Sequence, residues 1–176
     1  AAQKFDFGGF PPSNEADQYI DSKPIRAFDY QGPITFGGYQ WLFGRYRYTF
    51  EVHRRPNNTS EWERVDTANA PSVYPQQPST FSSLYWDGVS ETVSIAYTQA
   101  ASTAVPIYLV SFNMTTGQWG SVISGGPNAD VTGLFNPGPK LRHVVLSDGT
   151  VVAFFHSRFG IDNALGIGVA TYSGSW

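Results

Sequence analysis

A chain of 176 residues is one domain by length, and 41% hydrophobic content with 14% charged residues excludes wholesale disorder. A net charge of −3, with no basic run longer than Arg54–Arg55, argues against a nucleic-acid partner, which needs clustered Lys and Arg. Without cysteine there is no disulfide and no thiolate metal site, and no stretch approaches the ~18 apolar residues of a membrane-spanning helix, so no membrane insertion is expected.

Residues 1–24 read as a lead-in. KFDFGGF (Lys4–Phe10) alternates like a short strand and ends in glycines. A polar loop with Pro11, Pro12 and Pro24 as breakers follows. A first repeat runs over residues 25–72. Its phrase PITFGGYQWLFGRYRYTFEVHRR carries two or three strands, with Gly37–Gly38 and Gly44 as turns or bulges. In YTFEVH, Tyr48, Phe50 and Val52 share one face and Thr49, Glu51 and His53 the other, the alternation of a half-buried strand. A second repeat covers residues 73–130. SSLY, a turn at Asp87–Gly88 and TVSIAY are followed by a loop, IYLVSFN and MTTGQW. A third, incomplete repeat covers residues 131–176. Its phrase LRHVVLSDGTVVAFFHS is the clearest hairpin, with Ser147–Thr150 at the turn. NALGIGVATY and SGSW complete it. No 3.6-residue apolar pattern persists over three turns, so no helix is expected.

Trp62, Trp119 and Trp176 recur at a spacing of 57 residues, each closing a strand and a short polar turn. A fixed period of this size is the mark of a repeat architecture. Each repeat reads strand, turn, strand, loop, strand, turn, Trp. A fourth strand follows where chain remains, in WERV and in WGSVIS. Four antiparallel strands per 40–60 residues make one propeller blade, so an all-β, propeller-like fold of three four-stranded repeats is expected, with an antiparallel β-sandwich as the alternative. Lys4–Phe10 is a candidate for the strand the third repeat lacks. The periodic tryptophans are assigned to packing between sheets.

The phrases SDGT–VVAFF–HS and SGSW resemble blades of the sialidase-like and related carbohydrate-active propellers, whose Asp-box has the form Ser-x-Asp-x-Gly-x-Thr-Trp at a blade turn. The resemblance covers residues 25–176 and is one of rhythm. In NMTTGQW the Asp position is Thr115, PNNTSEW lacks the glycine, and YSGSW lacks the aspartate. It implies a fold, and no catalytic residue is carried over from it.

A glycosidase needs two carboxylates across a sugar, and Asp29, Glu51, Glu91, Asp130 and Asp162 lie on or beside strands. The competing reading makes Asp87, Asp130 and Asp148 turn residues bonded to local amides, and Glu51 and Glu91 solvent-facing. Arg26, Arg45, Arg142 and Arg158 are spread over the repeats, and converge only if the fold brings them together. HSRFGIDN (His156–Asn163) is the most polar loop, and loops on rigid sheets carry binding residues. Tyr39 and Trp41, and Tyr85 and Trp86, fall near turns, where an indole or phenol face can stack on a sugar ring. His53, His143 and His156 lack metal-ligand spacing, so no metal is expected. No nucleotide-binding or hydrolase motif is present, so no cofactor is expected either.

These features give an expectation of a carbohydrate-binding recognition module on an extracellular or virion surface. Its ligand-binding residues would be Trp41, Trp86, Arg158, Asp162 and Asn163, and it would act as a homo-oligomer or as part of a longer chain. A glycoside hydrolase with paired carboxylates and a structural assembly protein without a small ligand are the alternatives.

Overall fold

A computed structural model describes residues 28–46, 49–65, 70–71, 82–98, 105–129, 141–159 and 164–176. Among them there are three antiparallel sheets and no helix. The chain divides into two compact units, residues 1–70 and residues 71–176. The lead-in strand expected at Lys4–Phe10 lies outside the described residues.

The first unit carries β1 (Phe28–Phe36), β2 (Tyr39–Tyr46), β3 (Thr49–Pro56) and β4 (Glu63–Val65), joined in that order into one sheet. Gly37 and Gly38 form the two-residue β1–β2 turn. Both take positive φ, 61° and 80°, as a turn that matches the twist of its strands requires. Gly44 is not a turn. It pairs with Glu51 inside an unbroken β2–β3 ladder, opposite the place where β1 holds an extra residue. Alternation puts Trp41, Phe43, Phe50 and Val52 on one face and Leu42 and His53 on the other, and all six are buried. The half-buried pattern expected of β3 is therefore corrected at His53, which lies in the interior because both faces of this strand are covered.

The second unit holds two sheets. β5 (Ser82–Tyr85), β6 (Thr92–Thr98), β7 (Val105–Asn113) and β8 (Gln118–Trp119) form one in chain order. β9 (Asn128–Ala129) also pairs with β7. Between β8 and β9, Ile123 bridges Leu109, so residues 118–129 run beside β7 as one interrupted strand. Three steps along β7, from Phe112 to Leu109, correspond to four from Trp119 to Ile123. This bulge breaks the strand without abandoning its direction. The strands expected in WERV and WGSVIS are thus β4 and this interrupted strand.

β10 (Leu141–Val145), β11 (Val151–Phe159) and β12 (Ala164–Tyr172) form the third sheet, a three-strand meander. Its inner face packs on the second sheet. Leu141, Val151, Ala153 and Phe155 meet Ala96, Ile107 and Leu109 in one apolar core. Ile123, Val145, Ala170, Tyr172 and Trp176 close its margin.

Of the periodic tryptophans, Trp176 lies at the margin of this core. Trp62 is 1% and Trp119 8% exposed, and Trp176 is half-buried. Each meets the last residues of its sheet's third strand. The Arg55 guanidinium lies 4.8 Å from the Trp62 ring, Phe112 meets Trp119 edge-on at 4.9 Å, and Tyr172 lies 5.5 Å from Trp176. Trp176 also reaches across to the second sheet. A Cβ on Gly126 would come within 2.9 Å of its ring and 2.5 Å of the Ile107 carbonyl, so only glycine fits there. Deleting a buried aromatic costs both transfer energy and a cavity. Trp119→Ala is expected to lose about 3–5 kcal/mol, and Trp176→Ala less. Urea unfolding of the two variants checks this, and equal small losses would remove the packing role.

Candidate functional site

In the first unit, the β1–β2 turn and the turn after β3 come side by side. The Asn57 amide donates to the Gly38 carbonyl at 3.0 Å. The Thr59 amide and hydroxyl both donate to the Pro56 carbonyl. Two-residue periodicity then sorts the side chains. Tyr39 and Trp41 lie on the face that Arg54 shares, because Trp41 pairs with Arg54 and Arg54 with Glu63. The Arg54 guanidinium sits over the Tyr39 ring at 4.6 Å and 5.6 Å from the Trp41 ring, and its Nε donates to Glu63. A cation between a carboxylate and two π-faces has three anchors, which orders a long side chain that would otherwise be mobile.

Beside this stack lies a groove of about 360 Å³, lined by Tyr39, Arg54, Pro56, Thr59, Glu61, Trp62 and Glu63. It offers an aromatic wall, a fixed cation, a hydroxyl and two exposed carboxylates in one concavity. Flat apolar faces beside convergent hydrogen-bonding groups suit a ligand that is apolar on one side and hydroxylated on the other.

The sequence-predicted residues are placed variously. Trp41 is buried at 2% exposure, and its Nε1 donates to the Phe36 carbonyl at 3.1 Å. Its expected exposed face is corrected: it forms the base beneath Tyr39 and Arg54, because the same alternation that aligns it with Tyr39 turns it into the core. Trp86 is half-buried, and its Nε1 donates to the Ser90 carbonyl at 2.7 Å across its own turn. Arg158 pairs with Leu165 in the β11–β12 ladder. Asp162 and Asn163 lie outside the described residues, as do Arg26 and Asp130. Arg45 is in β2, and Arg142 is exposed on β10. Arg54, Thr59, Glu61 and Glu63 were missed. The signal was present in RRPNNTSEWE, where charged residues flank a hairpin turn, but their meeting with Tyr39 depends on strand register.

Three polar arrangements are local or structural. Asp87 Oδ1 accepts from the Val89 and Ser90 amides, and Asp148 Oδ1 from the Thr150 amide. Those amides hold both carboxyls below their ordinary range, the Ser90 amide most for Asp87 and the Thr150 amide most for Asp148. Asn113 Oδ1 plays the same part toward Thr115 and Thr116. Glu51, expected to face solvent, is corrected: its side chain is 10% exposed, beside His53 Nε2 at 3.3 Å and Arg64 at 3.6 Å. Glu91 is exposed as expected.

His143 clips the two sheets of the second unit together. Its Nδ1 lies 3.0 Å from Ser83 Oγ and its Nε2 2.9 Å from Ser94 Oγ, while its amide donates to Ser83 at 3.1 Å. With no carboxylate in this set, the imidazole gains no partner for a charge. Burial pushes its pKa from 6.5 down to about 4, against a small upward pull from its bond with Ser94.

Among the described residues, no three His, Asp or Glu side chains are grouped so as to hold a metal ion, and no helix is long and apolar enough to cross a membrane. No protein-family model matches the chain, and no curated protein matches it.

Unfolding frees His143 to take a proton below about pH 6.5. Stability is therefore expected to fall between about pH 6.5 and about 4, by up to ~3 kcal/mol, and to lose no more from this group below that window. Urea midpoints of the wild type and His143→Gln across that range test it. The variant is expected to flatten the slope, and an unchanged slope would acquit His143.

Proposed function

We propose that the chain is a recognition module that binds carbohydrate, with its ligand in the groove of the first sheet, and that its sheets are blades of a propeller-like repeat array. The observation that carries the ligand class is the groove itself: Tyr39 beside Arg54, with Thr59, Glu61 and Glu63 around it. A sugar ring laid on the Tyr39 face would place its hydroxyls toward the carboxylates and the guanidinium. Because Glu63 already engages Arg54, the cation is positioned before any ligand arrives, and less side-chain freedom is lost on binding. The blade reading is supported by three meander sheets in chain order, each with a Trp against its third strand. The resemblance to sialidase-like repeats is consistent with that rhythm. An extracellular or virion surface is the setting this ligand class implies.

A glycoside hydrolase is the second reading, favoured by one observation: two carboxylates, Glu61 and Glu63, line a single groove. Both readings are tested on one glycan panel, with retained sugar and released product read together by mass spectrometry. Retention without product is expected. Tyr39→Ala is expected to weaken it about tenfold while leaving the melting temperature nearly unchanged. Trp86→Ala is expected to leave it intact, and the reverse result would move the site to the Trp86 turn. Product that vanishes in Glu61→Gln or Glu63→Gln would establish the hydrolase. Silence in both channels would refute carbohydrate recognition.

A further inference from the structure

The third sheet has one covered face and one bare face, and the bare face is apolar. The β10–β11–β12 register puts Val144, Val152, Phe154, Ile167 and Val169 on the side opposite the core. Ile167 is 70% and Val169 59% exposed, and Phe154 and Val144 are exposed beside them. Among the residues whose side chains are described, Arg142 and Thr171 are the exposed polar residues at its border; the register also places His156 and Arg158 on this side, and no carboxylate lies among these positions.

The other two sheets show how this fold treats such a face. In the second sheet, the face opposite Trp119 carries Ala96, Ile107 and Leu109, and it is covered by the third sheet. In the first, the face opposite Trp62 and Arg55 carries Trp41, Phe43, Phe50 and Val52, all buried. In the third, Trp176 and Tyr172 lie on the core side, so the bare face is the equivalent one. β12 is also a sheet edge: among the described residues no strand pairs beyond it, whereas β4 covers β3 and β8 covers β7.

We propose that this face is the contact between two copies of the chain, packed sheet on sheet. The area fits. Five exposed side chains, Val144, Leu146, Phe154, Ile167 and Val169, present apolar surface on the order of 400 Å², about the non-polar share of the ~800 Å² that each partner of a stable complex buries. The chemistry fits as well. An apolar patch with no carboxylate among its described positions offers little for a basic partner to read, but it is complementary to itself. Aliphatic faces pack by shape, and a two-fold axis through the sheet sets Ile167 and Val169 against Phe154 of the other copy.

Sedimentation velocity of the whole chain at tens of micromolar tests the proposal. The wild type is expected as a species of about 39 kDa, twice the chain's 19.4 kDa. Ile167→Glu with Val169→Glu is expected to halve that mass with an unchanged far-UV spectrum. Those side chains point to solvent in the single chain, so the change disturbs no core. Val89→Glu, at an exposed turn of the second sheet, is expected to leave the larger species intact. A monomeric wild type, a species larger than two chains, or a dimer that survives the double substitution would each overturn the proposal.

Discussion

A β-sheet has two faces, and a meander of three or four strands is too small to bury either by itself. This constraint organises the chain. Strands alternate side chains to both faces at no choice of their own, so any sequence that makes both faces apolar commits the sheet to lie between two layers. β2 and β3 do so with Trp41, Phe43 and Val52 on one side and Leu42 and His53 on the other. β6 and β7 do so with Ala96 and Leu109 against Ile95 and Phe112. The packing of the third sheet on the second is the direct consequence, and the bare face of the third sheet is the same demand left unanswered among the described residues.

A tryptophan stands at the margin of each sheet. In each case a large flat ring lies beside the end of the third strand, and the ring of Trp176 also closes the margin of the core between the second and third sheets. Its partner differs each time: a guanidinium for Trp62, a phenyl for Trp119, a phenol and a glycine for Trp176. What repeats is the volume and its place. Gly126 shows how closely that place is defined, since a single methyl group there would collide with both ring and backbone.

Three polar groups in this fold are held by their neighbours, each to a different purpose. His143 sits between two serines where no charge can be compensated, so it stays neutral and acts as a clip. Glu51 stands between His53 and Arg64, where compensation is at hand. Arg54 lies at the surface, held by Glu63 and two rings with part of its side chain still open to solvent. Arg54 borders the groove beside Tyr39, and the ligand reading rests there for that reason.

The sequence by itself determined what is local. Alternation, turn chemistry and the 57-residue spacing located the strands, the Gly37–Gly38 and Asp148–Gly149 turns, the strand after Trp62 and the one containing Trp119, and the burial of the first two periodic tryptophans. These follow from backbone geometry over a few residues, which a linear pattern records. The tertiary structure decided which face of each strand is covered, and by what. Trp41 and Tyr39 carry the same aromatic signal, yet one is a foundation and the other a wall, because depth below a surface is not written in the two-residue period. Glu51 and His53 looked like a solvent face and became an interior pair for the same reason. Ser83 meets His143 across 60 residues, and Arg54 meets Tyr39 only through the β2–β3 register. Contacts between strands depend on register and stacking, which arise from the whole chain's need to cover its apolar faces.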